Sequence, residues 1–456
     1  MAPYVDFIEA SSKKAFDKDH RAIINHNISA YESAWKAGKD RYKNLDLAKK
    51  RAAVRKHYVI EHLEDHLKTF EQNFNSRGGK TIWAQDSGEA RKAVLDIFEQ
   101  HYVKKVVKSK SMTTEELGLT EFLEKNGVEC VETDLGEYIV QISGDRPYHI
   151  VTPAMHLSAS DIAGIFNKHH GLSENSTPGE ITSFVRKALR DKFEGAHAGI
   201  TGANFLVAST GSVAVTENEG NAIMSASFPG IHIVIAGIEK LLASTKDLEL
   251  FWPLLATHGT GQEITAYNTL FNGPRKSGEA DGPKYMYVIL LDNGRSRLLS
   301  TVPQRRALAC IRCGACLSFC PVYRNIGGHS YGTVYTGPIG AIISPHISGK
   351  LREYIHLSYA STLCGRCTEV CPTGIDLHHQ LLHNRRLAVL KGFPSRSERL
   401  GIKVYKRVMK KPNYLEMVSP GIKNLAAKLF FKKTWGPRRT LPRISQSFRK
   451  RYTSGS

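Results

Sequence analysis

Four cysteines lie close together in one short run, and they limit what this chain can fold into more than any other feature. The run "CIRCGACLSFCP" extends from Cys310 to Pro321, in a chain of 456 residues that has 8 cysteines. Its spacing, C-x₂-C-x₂-C-x₃-C-P, is typical of [4Fe–4S] cluster binding, in which the fourth cysteine binds a different cluster from the first three. The run therefore predicts further ligands elsewhere in the chain.

A second run, downstream, supplies those ligands. The sequence "STLCGRCTEVCP" repeats the x₂ and x₃ spacing, again ends in proline, and contains Cys364, Cys367 and Cys371. If the fourth cysteine of each run binds the other cluster, two sets of ligands result. The first set is Cys310, Cys313, Cys316 and Cys371, and the second is Cys320, Cys364 and Cys367. Each run then helps to hold the cluster of the other.

The second set lacks a fourth cysteine, because the position that corresponds to Cys310 is Ser361. The second centre is then either [3Fe–4S], or [4Fe–4S] with an exchangeable iron or an oxygen ligand such as the Ser361 hydroxyl. Zinc accounts less well for the pattern, because four ligands in C-x₂-C pairs would satisfy it. Disulfides require an oxidising compartment and are typical of small secreted chains.

Length and charge predict a protein of several units with a basic end. A chain of 456 residues exceeds what one core usually organises. The opening "MAPYVDFIEASSKK" lacks a secretory pattern and the apolar runs are too short to span a bilayer, so we expect a cytoplasmic protein. The formal net charge is +20, and after Gly401 the single acidic residue is Glu416. Such an end favours an anionic surface: a partner protein, nucleic acid, or lipid at the inner face of the membrane.

Hydrophobic periodicity divides the chain before the cysteines into two regions. Residues 1–80 show helical spacing, as in "AAVRKHYVIEHLEDHLKTFEQNF". Residues 81–300 alternate helical runs with predicted strands, among them "EYIVQI", "HIVTPA", "SVAVTE", "HIVIAG" and "YMYVILLD". This alternation predicts an α/β domain with a mainly parallel sheet covered on both faces. Cys130, in one of the predicted strands, is interpreted as a core residue.

Polar residues around one predicted strand form a candidate ligand site in this domain. They belong to the stretch "GITGANFLVASTGSVAVTENEGN", and sheets of this kind bind ligands at strand ends. The candidates for a small polar ligand are Thr210, Ser212, Glu217 and Asn221. The same residue types suit hairpin turns and helix caps, and both interpretations stay open.

Several stretches together resemble the lactate utilization protein B family. They are "ETDLGEYIVQI", "GITGANFLVASTGSVAVTENEGN", "LLDNGRS", and both cysteine runs with the segment "VYRNIGGHSYGTVYTGPIGA". The resemblance implies an α/β lactate-utilization (LUD) domain of the NagB/RpiA/CoA-transferase-like type, followed by an α-helical two-cluster ferredoxin module. The implied regions are an N-terminal helical region at 1–80, the LUD domain at 81–300, the dicluster module at 301–385 and a basic extension at 386–456. Three cysteines in the second run are usual in that family.

The resemblance also implies a function, which is that of the iron–sulfur component of a three-protein system that oxidises L-lactate to pyruvate. Its expected partners are a second iron–sulfur protein and a second LUD-domain protein. No G-x-G-x-x-G fingerprint follows a predicted strand, so the chain is expected to be a non-catalytic or co-catalytic redox subunit that passes electrons.

Two other functions are alternatives to electron transfer. One is a nucleic-acid-binding protein with structural clusters, whose basic tail carries Phe430, Phe431, Trp435, Phe448 and Tyr452. The other is an independent CoA-transferase-like enzyme with Glu217 or Glu219 as nucleophile. Neither is favoured, and no nucleic acid is expected. Docking of the basic extension on partner subunits is favoured over peripheral membrane contact, because its aromatic residues form no sustained apolar stripe.

Overall fold

The structure, a computed structural model, describes residues 3–435, 440–445 and 452 of the chain. It divides into two compact units, Met1–Leu387 and Ala388–Ser456. The first unit contains a helical N-terminal region, a parallel sheet with its helices, and the helical module that carries the two cysteine runs. The second unit contains the helices of the basic extension.

The N-terminal region is helical, as the periodicity predicts. Its helices are α1 (Pro3–Phe16), α2 (Lys18–Lys39), α3 (Leu45–Glu61) and α4 (Leu63–Asn75). Asp17 begins α2 by accepting a hydrogen bond from the backbone amide of His20, and Asn44 begins α3 in the same way through Leu47. Buried apolar residues recur along α4 at helical spacing, which directs one face of this helix into the core.

Two sheets lie between this region and the cysteine runs. The strands are β1 (Lys80–Ala84), β2 (Lys105–Lys108), β3 (Glu129–Glu132), β4 (Ala198–Thr201), β5 (Phe205–Val207), β6 (Ser212–Glu217), β7 (Ile231–Gly237), β8 (Leu241–Leu242), β9 (Tyr267–Phe271) and β10 (Tyr285–Leu291). Among the described residues, six strands form a parallel sheet in the order β1-β10-β7-β4-β2-β3. The others form a smaller mixed sheet in the order β8-β5-β6-β9.

The parallel sheet is buried on both faces, which confirms the prediction from the alternating pattern. In β7, Ile233 and Ile235 pack into one hydrophobic cluster with Val94 of the helix that follows β1. The intervening Val234 packs into a second cluster, with Phe70 of α4. Successive side chains of a strand point to opposite faces, so an apolar strand of this kind requires cover on both sides. Cys130 lies in β3 with 3 % of its surface exposed, which confirms it as a core residue.

The helices around the sheets are α5 (Ser87–His101), α6 (Met112–Leu117), α7 (Leu119–Lys125), α8 (Leu135–Ser143), α9 (Ala159–His170), α10 (Pro178–Glu194), α11 (Asn221–Ser227), α12 (Leu248–Thr260) and α13 (Arg295–Ser300). Short 3₁₀ turns cover Ile238–Lys240, Thr245–Asp247, Gln304–Ala309, His329–Tyr331 and Ile355–Tyr359.

Two of the predicted strands are wrong. "EYIVQI" belongs to α8, because the Asp134 side chain caps the helix start through the Glu137 amide and Gly144, at φ 68°, ends it in a left-handed conformation. "HIVTPA" is irregular, since the His149 ring accepts from the Val151 amide and the Tyr148 amide donates to the Pro153 carbonyl. These local bonds use backbone groups that a sheet ladder would need.

The cysteine runs lie in a helical module after the sheets. Its helices are α14 (Ala315–Ser318), α15 (Pro321–Ile326), α16 (Gly337–Ile347), α17 (Leu351–Tyr354), α18 (Arg366–Val370) and α19 (Leu377–Leu390). Helix α16 is buried along almost its whole length, from Gly337 to His346. The module shares a hydrophobic cluster with Ile24 and Ile28 of α2, so the N-terminal region forms part of its core.

The second unit contains α20 (Arg396–Met409), α21 (Pro412–Met417) and α22 (Pro420–Trp435). No residue of α20 is buried, and its apolar side chains, such as Leu400 and Val404, are exposed. Tyr452 is also exposed. The other tail aromatics named from the sequence, Phe430, Phe431, Trp435 and Phe448, have side chains outside the described part of the structure. Within the described residues, no helix has the length and apolar character that crossing a membrane requires.

Candidate metal centres

The two cysteine runs begin with the same local structure. In the first run, the Cys310 sulfur accepts a hydrogen bond from the Arg312 amide, with 3.4 Å between the atoms. In the second run, the Ser361 hydroxyl accepts the corresponding bond from the Leu363 amide at 3.1 Å. Arg312 and Leu363 both adopt positive φ, 62° and 57°. Ser361 therefore occupies the structural position of Cys310, as the alignment of the two runs predicts.

The likeness continues to the end of each run. Gly314, at φ 77°, precedes α14, and Gly365, at φ 81°, precedes α18. A side chain at such a φ would be strained, so glycine suits both turns. The final cysteines have similar extended backbones, with φ −82° and ψ 120° at Cys320 and φ −65° and ψ 120° at Cys371. The two runs are thus one structural motif used twice.

One enclosed cavity brings together cysteines from both runs. It is lined by Cys310, Cys313, Cys316 and Cys371. Apolar residues, among them Ile150 and Ile339, form other parts of its wall. Cys371 belongs to the second run, yet its sulfur faces the same cavity as the cysteines of the first. Its sulfur also accepts a hydrogen bond from the Ile375 amide at 3.4 Å.

The remaining cysteines form a second group beside the first. Burial, together with the neighbouring thiols of Cys320 and Cys364, raises the pKa of Cys367 to about 12. Burial also raises the pKa of Cys316, to which the first-group thiols and Cys367 add. The two groups therefore adjoin. Cys320 and Cys367 are buried, whereas Cys364 is exposed, so the second group reaches the surface.

Both groups suit a metal cluster chemically. Thiolate sulfur is a soft ligand that selects zinc, copper(I) or iron–sulfur clusters. Burial raises the pKa of Cys313, Cys316 and Cys371, which disfavours bare thiolates in this apolar surrounding. A bound cation removes that penalty, because metal binding displaces the thiol protons. The donors present therefore fit iron–sulfur clusters.

A buried ionic network, which sequence reasoning missed, lies against the first group. Glu239 binds two guanidinium groups, that of Arg295 at 2.5 Å and that of Arg312 at 3.2 Å. Arg295 binds Glu116 at 2.8 Å, and the Arg312 guanidinium lies 4.5 Å from the centre of the Tyr335 ring. Burial by itself would raise the pKa of Glu239, but the two arginines outweigh it and lower the pKa to about 2. The network connects the turn that follows β7, which contains Glu239, to Arg312 in the first cysteine run.

The four polar candidates of the LUD domain do not form one site. Thr210 and Ser212 lie at the start of β6, where their hydroxyls are 2.7 Å apart. Glu217 ends the same strand, and its carboxylate accepts the amides of Ala222 at 2.7 Å and Ile223 at 2.9 Å. Asn221 is the first residue of α11. A strand of this length separates its ends by roughly 17 Å. Glu217 therefore caps α11, which agrees with the interpretation of these residues as turn and helix-cap residues.

A different group of charges lies where β2 and β3 end. The ammonium group of Lys108 is fully buried and binds Glu132 at 2.8 Å and Glu115 at 3.3 Å. Burial raises the pKa of Glu137 to about 8. The chain passes from β2 to β3 on one side and later places β4 on the other side of β2. Such a switch in strand order is where open α/β sheets commonly bind ligands. The signal for this group in the sequence was the charged residue at the end of each short strand, Lys108 in β2 and Glu132 in β3.

Glu219, named as a possible nucleophile, lies near the same edge. Its carboxylate accepts the Leu135 amide at 3.1 Å. Burial raises the pKa of Glu219 to about 7, and the charge of Asp134 adds to the increase.

Comparison with known proteins identifies both parts of the first unit. The family model of the LUD domain matches residues 67–291, and that of the 4Fe-4S dicluster domain matches residues 306–375. The latter match covers all seven cysteines of the two groups. A solved structure of a DUF162 family protein from Deinococcus radiodurans aligns at 13 % identity over 50 % of this chain and 98 % of that chain, with a TM-score of 0.27. With so low a TM-score, this superposition supports no conclusion about the fold.

Curated relatives match most of the chain. A lactate utilization protein B from Bacillus velezensis is 43 % identical over 368 residues, which is 80 % of this chain and 77 % of that protein. A lactate utilization protein B from Bacillus cereus is 43 % identical over 353 residues, 77 % of this chain and 74 % of that protein. With the LUD and dicluster matches in the same order, this chain belongs to the lactate utilization protein B family.

Proposed function

We propose that this chain is the iron–sulfur electron-transfer component of a multi-subunit system that oxidises L-lactate to pyruvate. The observation that carries the proposal is the pair of adjoining cysteine groups in one module, the first of them around an enclosed cavity. The name of the curated relatives, lactate utilization protein B, supports the pathway. The partners in the proposal are a second iron–sulfur protein and a second LUD-domain protein.

The ligands in the proposal are the two crossed sets. Cys310, Cys313, Cys316 and Cys371 hold one [4Fe–4S] cluster, and Cys320, Cys364 and Cys367 hold a second cluster of the [4Fe–4S] or [3Fe–4S] type. Such clusters, when bound, accept and donate single electrons at potentials set by burial and by hydrogen bonds to sulfur. The amides of Arg312 and Ile375 donate to sulfur in the first group, and the apolar wall excludes water from it.

The domain organisation in the proposal follows the implied regions. The LUD domain, residues 81–300, takes the NagB/RpiA/CoA-transferase-like fold, between a helical region at 1–80 and a dicluster module at 301–385. Independent CoA-transferase chemistry through Glu217 is disfavoured, because two backbone amides hold its carboxylate at the start of α11, and turning the carboxylate toward a substrate would break both hydrogen bonds.

The first experiment determines the cofactors. The protein is purified without oxygen, its iron and sulfide are quantified, and EPR spectra are recorded for the oxidised and reduced forms. Two cubanes give about eight irons per chain, and one cubane with a [3Fe–4S] centre gives about seven. Fewer than about four irons, or zinc in their place, would contradict the proposal.

The second experiment separates electron transfer from catalysis. The isolated, flavin-free protein is expected to show no dye-linked oxidation of L-lactate, because no flavin or nicotinamide fingerprint accompanies its cysteine runs. Deletion of the gene should abolish growth on L-lactate and leave growth on pyruvate intact. Robust lactate oxidation by the isolated protein would show that it is the catalyst.

The basic extension, residues 386–456, is proposed to dock on the partner subunits. Exposed apolar residues such as Leu400 and Tyr405 alternate with cations along α20 and give it a surface suited to a partner. Truncation before Arg396, which removes α20 and all later residues, should abolish co-purification of the partners. Flotation with anionic liposomes at low and moderate salt tests the alternative, and binding to lipid with partners retained after truncation would overturn docking.

A further inference from the structure

Three side chains with metal-binding groups converge away from the cysteines. Asp145 follows α8, His156 precedes α9, and His329 lies between the two cysteine runs. One ligand atom from each lies within 4.8 Å of the others. The Asp145 carboxylate is 2.9 Å from His156 Nε2 and, through its other oxygen, 3.7 Å from His329 Nε2. The cluster therefore joins the LUD domain to the segment between the cysteine runs.

We propose that Asp145, His156 and His329 bind one divalent transition-metal ion. Two imidazoles and a carboxylate are a donor set that such ions favour, and three protein ligands leave a position open. Ligand atoms of a tetrahedral ion with bonds of about 2.1 Å are about 3.4 Å apart. The two measured separations lie on either side of that distance, so small side-chain rotations bring the atoms into place.

Metal binding requires neutral imidazole nitrogens and an ionised carboxylate. His329 Nε2 now forms a hydrogen bond with the Arg146 carbonyl at 2.7 Å, a separation too short to hold an ion between the two atoms. Binding of an ion through Nε2 therefore replaces this hydrogen bond.

Packing holds the rings in position. Tyr148 is buried, its ring stacks on His156 at 4.8 Å between centroids, and its edge meets His329 at 4.9 Å. The Tyr148 hydroxyl bonds to His20 Nε2 at 2.9 Å, which fixes it against α2. Ligands fixed by packing bind metal without ordering cost.

Aromatic residues connect the proposed site to the helical module. The hydroxyl of Tyr323, three residues after Cys320, donates to the carbonyl of Tyr148, whose ring contacts both histidines. Tyr323 and Tyr331 also pack against one another.

The test uses zinc as the probe and the intact, cluster-containing protein. Anaerobically purified protein is dialysed against zinc chloride and desalted, and zinc and iron are counted together by mass spectrometry. We expect about one zinc per chain, with only nitrogen and oxygen neighbours in the zinc X-ray absorption spectrum. The His156→Ala/His329→Ala double variant should retain at least tenfold less zinc at unchanged iron. The control, His169→Ala, changes an exposed histidine of α9 and should match the wild type.

Asp145→Asn keeps the test valid if the double variant does not fold, because this substitution removes a charge and leaves the shape of the side chain nearly the same. It should keep its iron and lose zinc. Three results would each overturn the proposal. The wild-type protein retains no zinc, or Asp145→Asn and the double variant both retain as much zinc as the wild type. In the third, the zinc has sulfur neighbours, which assigns the ion to a cysteine group.

Discussion

The two cysteine runs follow the same backbone path through different surroundings. In the first run, Cys313 and Cys316 are buried and Arg312 enters an ionic network with Glu239. In the second run, Cys364 is exposed and the residue that corresponds to Arg312 is Leu363, which carries no charge. The repeated motif provides the same turn and the same helix start in both places. The elements packed around it, not the motif, give each site its exposure and its charge.

This comparison leads us to expect two unequal centres. The first is enclosed, has four cysteines in the proposed set and lies beside buried cations. The second reaches the surface and has a serine where the first has Cys310. Exposure, net charge and hydrogen bonds to sulfur are among the properties that set cluster potentials.

The largest effect should come from removing single cysteine ligands from the two runs. Cys371→Ser should abolish the same EPR centre as Cys313→Ser, because the sulfurs of both residues face one cavity. Cys364→Ser should abolish the other centre. If Cys371→Ser instead removes the centre lost in Cys364→Ser, each run holds its own cluster and the crossed assignment is wrong.

The next effect concerns the ionic network that only the first run has. Glu239→Gln leaves two buried guanidinium groups without their shared carboxylate, so the free energy of unfolding should fall by about 3–5 kcal/mol. Denaturant titration of the cluster-loaded protein measures it. Glu129→Gln, which breaks an exposed pair with Lys192, is the control and should cost no more than about 1 kcal/mol. Equal costs for the two variants would show that the network does not distinguish the first site.

A third variant tests the difference at the serine. Ser361→Cys should give about eight irons per chain and a second centre that resists chelators for longer, because a sulfur replaces the hydroxyl at an equivalent position. Ser361→Ala is the matched control. A changed EPR spectrum in the alanine variant would identify the hydroxyl as a ligand, whereas a cysteine variant with the iron content, EPR spectrum and chelator resistance of the wild type would show that position 361 does not face the cluster.

The smallest effect is expected at the surface of the second run. Arg366 pairs with Glu369 at 2.8 Å, and the side chains remain 42 % and 67 % exposed. Arg366→Gln should therefore change the free energy of unfolding by about 1 kcal/mol or less. The same titration measures it, with Arg312→Gln as the buried counterpart. A cost of several kcal/mol at Arg366 would mean that the second run is as embedded as the first.

The sequence is enough to predict those features of the fold that depend on the local spacing of apolar residues and on the alternation of strands with helices. The regular turn of strands and helices predicted the parallel sheet, and the helical region before it follows from the apolar periodicity. The prediction of a strand at "EYIVQI" is wrong because a short apolar run suits a strand or a buried helix, and the Asp134 cap decides between them.

The surroundings of the site were not predictable in the same way. The network around Glu239 joins Glu116, Arg295 and Arg312, which come from separate parts of the chain, and only the folded topology brings them together. The four polar candidates around β6 are separated in the structure for the converse reason. Closeness in sequence does not bring residues together when an extended strand lies between them.

The cavity that contains Cys371 has a consequence for biosynthesis. In the proposed crossed arrangement, neither cluster has all its cysteines until translation has passed the second run. The chain emerges from its N-terminus, and domains that emerge first generally fold first. The sheet, together with Ile150 in the cavity wall, then precedes the last ligand. Iron and sulfide are therefore inserted late, into a partly built wall, and a ribosome that stops before residue 367 leaves a chain that lacks ligands of both centres.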